Sequence, residues 1–320
     1  MTVSTSLPVT RAADLADVPT ARRWLVEQLW GDEAVGIVGG EPKCCKSFLA
    51  LDMAVAVASG APCLRRFPVV RRGPVLLFAA EDSLVVVRRR LCGIAAAAGL
   101  DLEALDIHVI VAPVVRLDVE LDQRRLEETV RALRPALLVL DPFVRLHRVD
   151  ENVSADVAPL LDFLRGLQRR HQVAVALVHH ARKGAAHLRA GQALRGSSEL
   201  HAWGDSNLYL RRNADDALSL TVEHRAAASV DGLTLALATE GDALALRVVD
   251  HAATLPATPA SLSPLERVER ILAEADASMT QREIRDLAKI RAASVSDALT
   301  ALVADGRVER VDGRYRLLRR

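Results

Sequence analysis

Residues 39–47 read Gly39-Gly40-Glu41-Pro42-Lys43-Cys44-Cys45-Lys46-Ser47. An apolar stretch precedes the run and a helix-forming stretch follows it, so the loop is predicted to join a buried strand to a helix N-terminus. Successive main-chain N–H groups at such a place point outward, and the helix dipole adds partial positive charge, which suits an anion. Gly40, Glu41, Pro42, Lys43, Cys44, Cys45, Lys46 and Ser47 are therefore expected to wrap a triphosphate, and ATP is the expected ligand. The spacing follows the pattern G-x-x-x-x-G-K-[ST], in which the lysine reaches the β- and γ-phosphates and the hydroxyl ligates Mg2+. Lys46 and Ser47 take those two places. Lysine usage sharpens the match: of 42 basic residues only Lys43, Lys46, Lys183 and Lys289 are lysines, and two of the four stand in this loop. The departure is Cys45, where the pattern has glycine. A Cβ there either costs about 1 kcal/mol of strain or is accommodated at little cost. Its thiol, at a helix N-terminus, is expected to be accessible and activated when the loop is empty, as is that of Cys44.

Groups that complete such a site must come from other strands, because ligand chemistry in a parallel sheet gathers at the carboxyl ends of its strands. Three further apolar runs end in polar residues. One runs into Glu81-Asp82-Ser83, one into Asp141-Pro142, and one into His179-His180. Asp141 follows four aliphatic residues and suits Mg2+, held through water or the Ser47 hydroxyl. Glu81 is placed to polarise an attacking water as general base. Asp82 is the near alternative, with a helix N-cap as its other role. The histidine pair reads either as a sensor of nucleotide or as a satisfied polar strand end. His147, His187 and His201 show no ligand spacing, so no zinc site is expected.

These residues need a scaffold of alternating elements. Runs 34–38, 74–79, 107–112, 136–140 and 173–178 are predicted buried strands, and 47–59, 83–98, 121–133 and 155–170 carry helical periodicity between them. The expectation is an α/β fold, a mostly parallel sheet with helices on both faces. Short runs 208–212, 217–224, 233–238 and 243–249, separated by Asp-Asp, Asp-Gly and Gly-Asp, are predicted to extend it with antiparallel strands. Residues 1–33 read as an N-terminal segment, 34–250 as the main domain, 251–264 as a Pro/Ala-rich linker and 265–320 as a small terminal domain. In the last, 265–274 is a first helix, Thr280-Gln-Arg-Glu283 a capping box for a second, and Ser294-Val-Ser-Asp297 a cap for a third. Asp312-Gly313 marks a hairpin turn between 307–311 and 314–318.

Composition fits this plan. The 320 residues are 50% hydrophobic and carry 42 basic against 41 acidic side chains, so no whole-chain field announces nucleic acid or membrane. The four cysteines form neither a metal spacing nor a disulfide framework, no leader is seen at the start, and the apolar runs are short. A cytoplasmic, non-membrane protein is expected.

The motifs GGEPKCCKS at 39–47, AAEDS at 79–83, LLVLDPFVRLH at 137–147, DENVS at 150–154, LVHHARKG at 177–184 and LRGSS at 194–198, in this order, resemble the RecA-type hexameric ATPases. Among these they are most similar to the plasmid RepA-like replicative helicases, over roughly 34–212. The resemblance implies a RecA-like P-loop core in which Lys46, Ser47 and Asp141 take nucleotide and metal and Glu81 is the catalytic glutamate. It implies that His180 senses the γ-phosphate, and that Arg182, Lys183, Arg189 and Arg195 face single-stranded DNA in the channel of a homo-oligomeric ring, a hexamer in that family. A neighbouring subunit should lend an arginine to the transition state. Arg225 resembles the late-strand finger of DnaB-type helicases, with Glu223 where they have lysine. The order of three helices and a hairpin at the C-terminus looks like a winged helix-turn-helix, with Arg291, Arg310 and Arg314 as contacts to duplex DNA, or a surface for an initiator protein.

Three functional readings stay open at this level. One is a DNA motor. Another is a nucleotide-gated DNA-binding regulator that separates no strands. The third is a scaffold in which Cys45 disables turnover.

Overall fold

The computed structural model describes residues 9–14, 23–180, 198–213, 217–240, 243–249, 264–275, 277–288, 292–311 and 313–318. The chain divides into two compact units, Met1–Val249 and Asp250–Arg320.

In the first unit, strands β1 (Trp24–Val26) and β2 (Trp30–Gly31) form a small antiparallel ribbon. Then follow β3 (Val35–Gly40), α1 (Lys46–Ser59), β4 (Val75–Ala79), α2 (Leu84–Ala97), β5 (Ile107–Val109), α3 (Glu120–Leu133), β6 (Leu137–Asp141), α4 (Ser154–His171) and β7 (Ala174–His180). The unit closes with α5 (Ser198–Trp203), β8 (Ser206–Arg212), β9 (Leu218–His224), β10 (Val230–Glu240) and β11 (Ala243–Val248). Among the described residues, nine of these strands make one sheet, in the order β11-β10-β9-β8-β3-β7-β6-β4-β5. From β8 to β5 every pairing is parallel, and from β8 to β11 every pairing is antiparallel.

Successive side chains of a strand point to opposite faces, and here both faces are covered. Leu76, Phe78, Leu138, Leu140, Val175 and Leu177 pack with α3 and α4 on one side. Val75, Leu77, Leu137, Val139, Ala176 and Val178 pack with α1 and α2 on the other. Helix α1 is buried from Leu49 through Ala58, as expected of a helix apolar on every side.

The structure adds detail to this plan. Residues 24–31, within the N-terminal segment, join the core: Leu25, Val26, Leu29 and Trp30 are buried there, and the Trp30 indole donates to the Ala34 carbonyl at 3.2 Å. Strand β8 pairs antiparallel with β9 as expected, and it also runs parallel to β3, with Val38 opposite Leu208 and Gly40 opposite Leu210. The long connection from β7, which contains α5, lets the chain return in the same direction. The two strands approach so closely that a Cβ on Gly36 would lie 1.6 Å from the Ser206 carbonyl oxygen. Strand β5 ends at Val109, three residues earlier than its apolar pattern suggests.

In the second unit, α6 (Pro264–Glu274), β12 (Met279–Thr280), α7 (Gln281–Ala288), α8 (Ala292–Ala304), β13 (Val308–Val311) and β14 (Arg314–Leu317) surround a core of Val268, Leu272, Ile284, Val295, Leu299 and Leu302. The capping box opens α7: the Thr280 amide donates to Glu283 Oε2 at 2.7 Å and the Glu283 amide to Thr280 Oγ1 at 3.3 Å. Helix α8 begins at Ala292, ahead of Ser294, so the helix starts earlier than the expected cap position. The strands order β12-β14-β13, with Val311 paired to Arg314 at the end of the β13–β14 hairpin. The sequence-predicted linker, 251–264, lies outside the described residues except for Pro264. No helix among the described residues is long and apolar enough to cross a membrane.

Candidate functional site

The loop after β3 is shaped by backbone conformations that few residues adopt. Gly40 has φ 154°, and a Cβ there would meet the Leu210 carbonyl oxygen at 2.2 Å and Cys44 Sγ at 2.7 Å. Cys45 occupies the N-cap position of α1 with φ 64° and ψ 25°, the left-handed region that glycine enters freely. It accepts no side-chain capping bond from the helix. The first N–H groups of α1 thus receive no side-chain cap from that residue, and with the dipole they favour an anion at this end. Lys46, only 5% exposed, donates from Nζ to the Glu41 carbonyl at 2.7 Å and lies 3.8 Å from Cys44 Sγ. Burial lowers its ammonium pKa below the usual lysine value.

Strand β6 delivers Asp141, 9% exposed, to the Ser47 hydroxyl, with which its carboxylate shares a hydrogen bond. Burial pushes the Asp141 pKa up to about 6, and the carboxylates of Asp82 and Glu81 add to the rise while the Ser47 bond and Lys46 oppose it. A hydroxyl and a buried carboxylate with uncompensated negative charge are hard oxygen donors, the set that Mg2+ takes. The residues therefore fit a magnesium nucleotide.

Strands β4 and β7 bring the other groups. His180 pairs in register with Gly40, is half-buried, and has its pKa lowered chiefly by burial, with Lys46 assisting. It is neutral near pH 7, and its Nδ1 has no hydrogen-bond partner among the described residues. Glu81, beyond the end of β4, is held by Arg145: Arg145 Nε donates to Glu81 Oε1 at 2.9 Å. Asp82 does not cap α2. Ser83 does, accepting from the Val86 amide at 3.4 Å, while Asp82 pairs with Arg90 one face over.

Lys43, Cys44, Cys45, Lys46, Ser47, Glu81, Asp141 and His180 all line one cavity of about 260 Å3. Gly40, Glu41 and Pro42 belong to the same loop. The thiols differ from expectation. Cys44 is buried and Cys45 half-buried, and burial raises both pKa values; Arg212 and Lys46 oppose the rise at Cys45 too weakly to reverse it. Neither thiol is activated in this conformation.

Three arginines escaped sequence reading. Arg90 lines the cavity and lies over the Phe48 ring at 5.2 Å. Arg212 donates to the Lys43 carbonyl at 3.0 Å, and Arg145 holds Glu81. Arg145 stands inside the 137–147 motif, four residues past Asp141, which was the available signal; nothing local marks Arg90 or Arg212.

Arg225 is not at its own chain's cavity. Its guanidinium pairs with Asp205 at 3.3 Å and donates to the Ala202 and Trp203 carbonyls. Arg310 lies over the Tyr315 ring at 5.6 Å, and Arg314 donates to the Ser278 carbonyl at 3.1 Å. Arg182, Lys183, Arg189, Arg195 and Arg291 lie outside the described residues. No group of three or more His, Cys, Asp or Glu able to hold a metal by themselves occurs among the described residues.

Residues 3–186, more than half of the chain, match the family described as AAA domain. The ATPase domain of G40P is similar in structure, with a TM-score of 0.52 at 14% identity, covering 64% of this chain and 82% of that one. A DnaB-like replicative helicase, solved for its interactions with primase, gives 0.51 at 14% identity, covering 67% of this chain and 59% of that one. At such identity the likeness is one of fold.

Proposed function

The chain belongs to the AAA domain family, with a RecA-like P-loop ATPase core, and we propose that it is a magnesium-ATP-driven motor acting on DNA. In this reading it is a RepA-like replicative helicase or a related DNA-processing ATPase working as a ring. The observation that carries the proposal is the convergence of Lys46, Ser47, Asp141, Glu81 and His180 on one cavity from four separate strands. Lys46 leaves the Glu41 carbonyl for the β- and γ-phosphates, and the amides at the start of α1 receive the same anion. Ser47 and Asp141 hold Mg2+, which when bound neutralises charge on the phosphate oxygens. Glu81 accepts the proton of the attacking water. His180, neutral and facing the terminal phosphate, reports its presence to the segment that follows β7.

Arg225 is the proposed trans arginine, exchanging Asp205 for a neighbour's nucleotide. Arg182, Lys183, Arg189 and Arg195 are proposed contacts to a single strand in the ring. The C-terminal unit, three helices with a hairpin, is proposed as a winged helix-turn-helix. It docks duplex DNA through Arg291, Arg310 and Arg314, or docks an initiator protein. From Arg307 onward it carries six arginines against two acids.

A second reading, a nucleotide-gated switch with slow turnover, is favoured by two specific observations. Cys45 stands in a left-handed position, and Glu81 is tied to an arginine instead of facing the cavity unpaired. Strand displacement on a forked duplex separates the two readings.

The test of the shared premise is Lys46→Ala. Calorimetry with magnesium-ATP should show nucleotide affinity lowered roughly 100-fold, from loss of a buried charge-assisted contact, with circular dichroism unchanged. Unaltered affinity would remove the phosphate loop from the site.

A further inference from the structure

Beside the nucleotide cavity lies a second one, of about 330 Å3, lined by Phe78, Ala80, Pro113, Val114, Arg116 and Arg145. Glu81 lines both. Glu81 is thus shared between the two cavities, with its carboxylate held by Arg145.

The charges in the second cavity are unbalanced. Arg145 has Glu81, but the Arg116 guanidinium pairs with no carboxylate among the described residues. It donates to main-chain carbonyls instead, of Arg145 at 2.5 Å and His147 at 3.2 Å. Two guanidiniums therefore face one carboxylate. The carbonyl bonds also fix the backbone that carries Arg145, so the two cationic groups are held as neighbours. A planar fork of donors is suited to the oxygens of a phosphate group, which would bridge both.

The Arg145–Glu81 pair is open to exchange. Arg145 is 61% exposed and Glu81 45%, and pairs in that setting are worth about 0–1 kcal/mol. Replacing the carboxylate by a phosphate on Arg145 costs little, and it leaves Glu81 beside the nucleotide cavity that it already lines.

We propose that the Arg116–Arg145 cavity binds a backbone phosphate of a single-stranded DNA, and that its occupation releases Glu81 to act on the nucleotide. The inference rests on the reading of Glu81 as the general base. It adds a second ligand site and the means by which that ligand sets turnover. Toward hydrolysis Arg145 is a positioning residue, acting on the nucleotide through Glu81.

The experiment is steady-state ATP hydrolysis by the full chain, with and without an oligothymidylate, for wild type, Arg145→Gln and Arg116→Gln. Wild-type kcat should rise with DNA. Arg145→Gln should raise kcat without DNA about fivefold, leave KM for ATP in place and respond no further to DNA. Arg116→Gln should require roughly tenfold more DNA for half-maximal stimulation. A lower kcat in Arg145→Gln, or stimulation that persists unchanged in it, overturns the release mechanism and leaves the phosphate loop untouched. Equal stimulation by millimolar inorganic phosphate overturns the strand as the occupant.

A binding measurement keeps this separate from the reading of Glu81 as base. Anisotropy of a labelled oligothymidylate should show tighter binding by Glu81→Gln, about threefold, because the competing carboxylate charge is gone and linkage is reciprocal. Unchanged affinity there, together with full DNA binding by Arg116→Gln, removes the site. If instead the affinities shift as expected while no form hydrolyses ATP, the site stands and the catalytic reading of Glu81 falls.

Discussion

Lys46, Ser47 and Asp141 form one wall of the proposed nucleotide cavity, and Glu81, held from behind by Arg145, stands on another. On the first wall Lys46 and Asp141 are no more than 9% exposed, carried on a helix and a strand whose side chains fill two cores. On the second, both partners are about half exposed and sit on the segments that leave β4 and β6. A buried wall is set once, when the sheet forms, and its groups pay for burial with shifted pKa values. An exposed wall costs little to rearrange, so it can be governed by what else binds. In the proposed function, binding and turnover thus fall to different kinds of structure.

The largest effect should come from the exposed wall. Glu81→Gln removes the proposed base and should lower kcat roughly 10²–10⁴-fold while magnesium-ATP still binds with near-native affinity by calorimetry. A parallel loss of binding would show that the two walls are not separable and would dissolve the contrast.

On the buried wall the largest stability effect belongs to Asp141. Its pKa in the folded chain, about 6, lies above the ordinary carboxylate value. The fold therefore favours the protonated form, and this group's contribution to stability is present at low pH and lost as pH rises through about 6. Asp141→Asn keeps the shape without the charge. In the absence of nucleotide it should be more stable than wild type at pH 8, by at most about 3 kcal/mol for a shift of roughly two units. The gain should shrink as pH falls from 6 toward 4. Urea unfolding at the two ends of that window measures it, and a gain independent of pH would refute burial of the charge as the cause.

A smaller effect is expected at the cap of α1. Cys45→Gly relieves a left-handed non-glycine residue and should stabilise the nucleotide-free protein by about 1 kcal/mol, read as a raised Tm. It should also raise kcat if strain in the loop, rather than the Glu81 latch, limits turnover. Unchanged kcat beside a higher Tm would locate control wholly on the exposed wall.

Much of the buried wall was legible in the sequence. Strand, loop and helix are contiguous from Val35 to Ser59, so the apolar run, the glycine pair and the Lys46-Ser47 step declare the loop within a few residues. Asp141 and His180 follow from one rule, that polar residues closing an apolar strand must meet something at the sheet edge. The unbroken apolar runs at 74–79, 136–140 and 173–178 likewise foretold a sheet covered on both faces. Even the Cys45 departure was visible as a question, although its sign was not.

What the chain order could not decide is who meets whom across distance. Arg145 finds Glu81 across 64 residues, Arg116 finds the carbonyls near Arg145, and Arg212 finds the loop, each through strand neighbours that no local period encodes. Asp82 and Ser83 both suit a helix start, and only packing gave Ser83 the cap and Asp82 to Arg90. The direction of β8 and the burial of 24–31 were settled the same way. Local sequence sets backbone preference and which face is apolar, because those depend on a residue and its near neighbours. Ion pairs, thiol burial and strand partnership depend on atoms brought together by the whole sheet, so they exist only once it has formed.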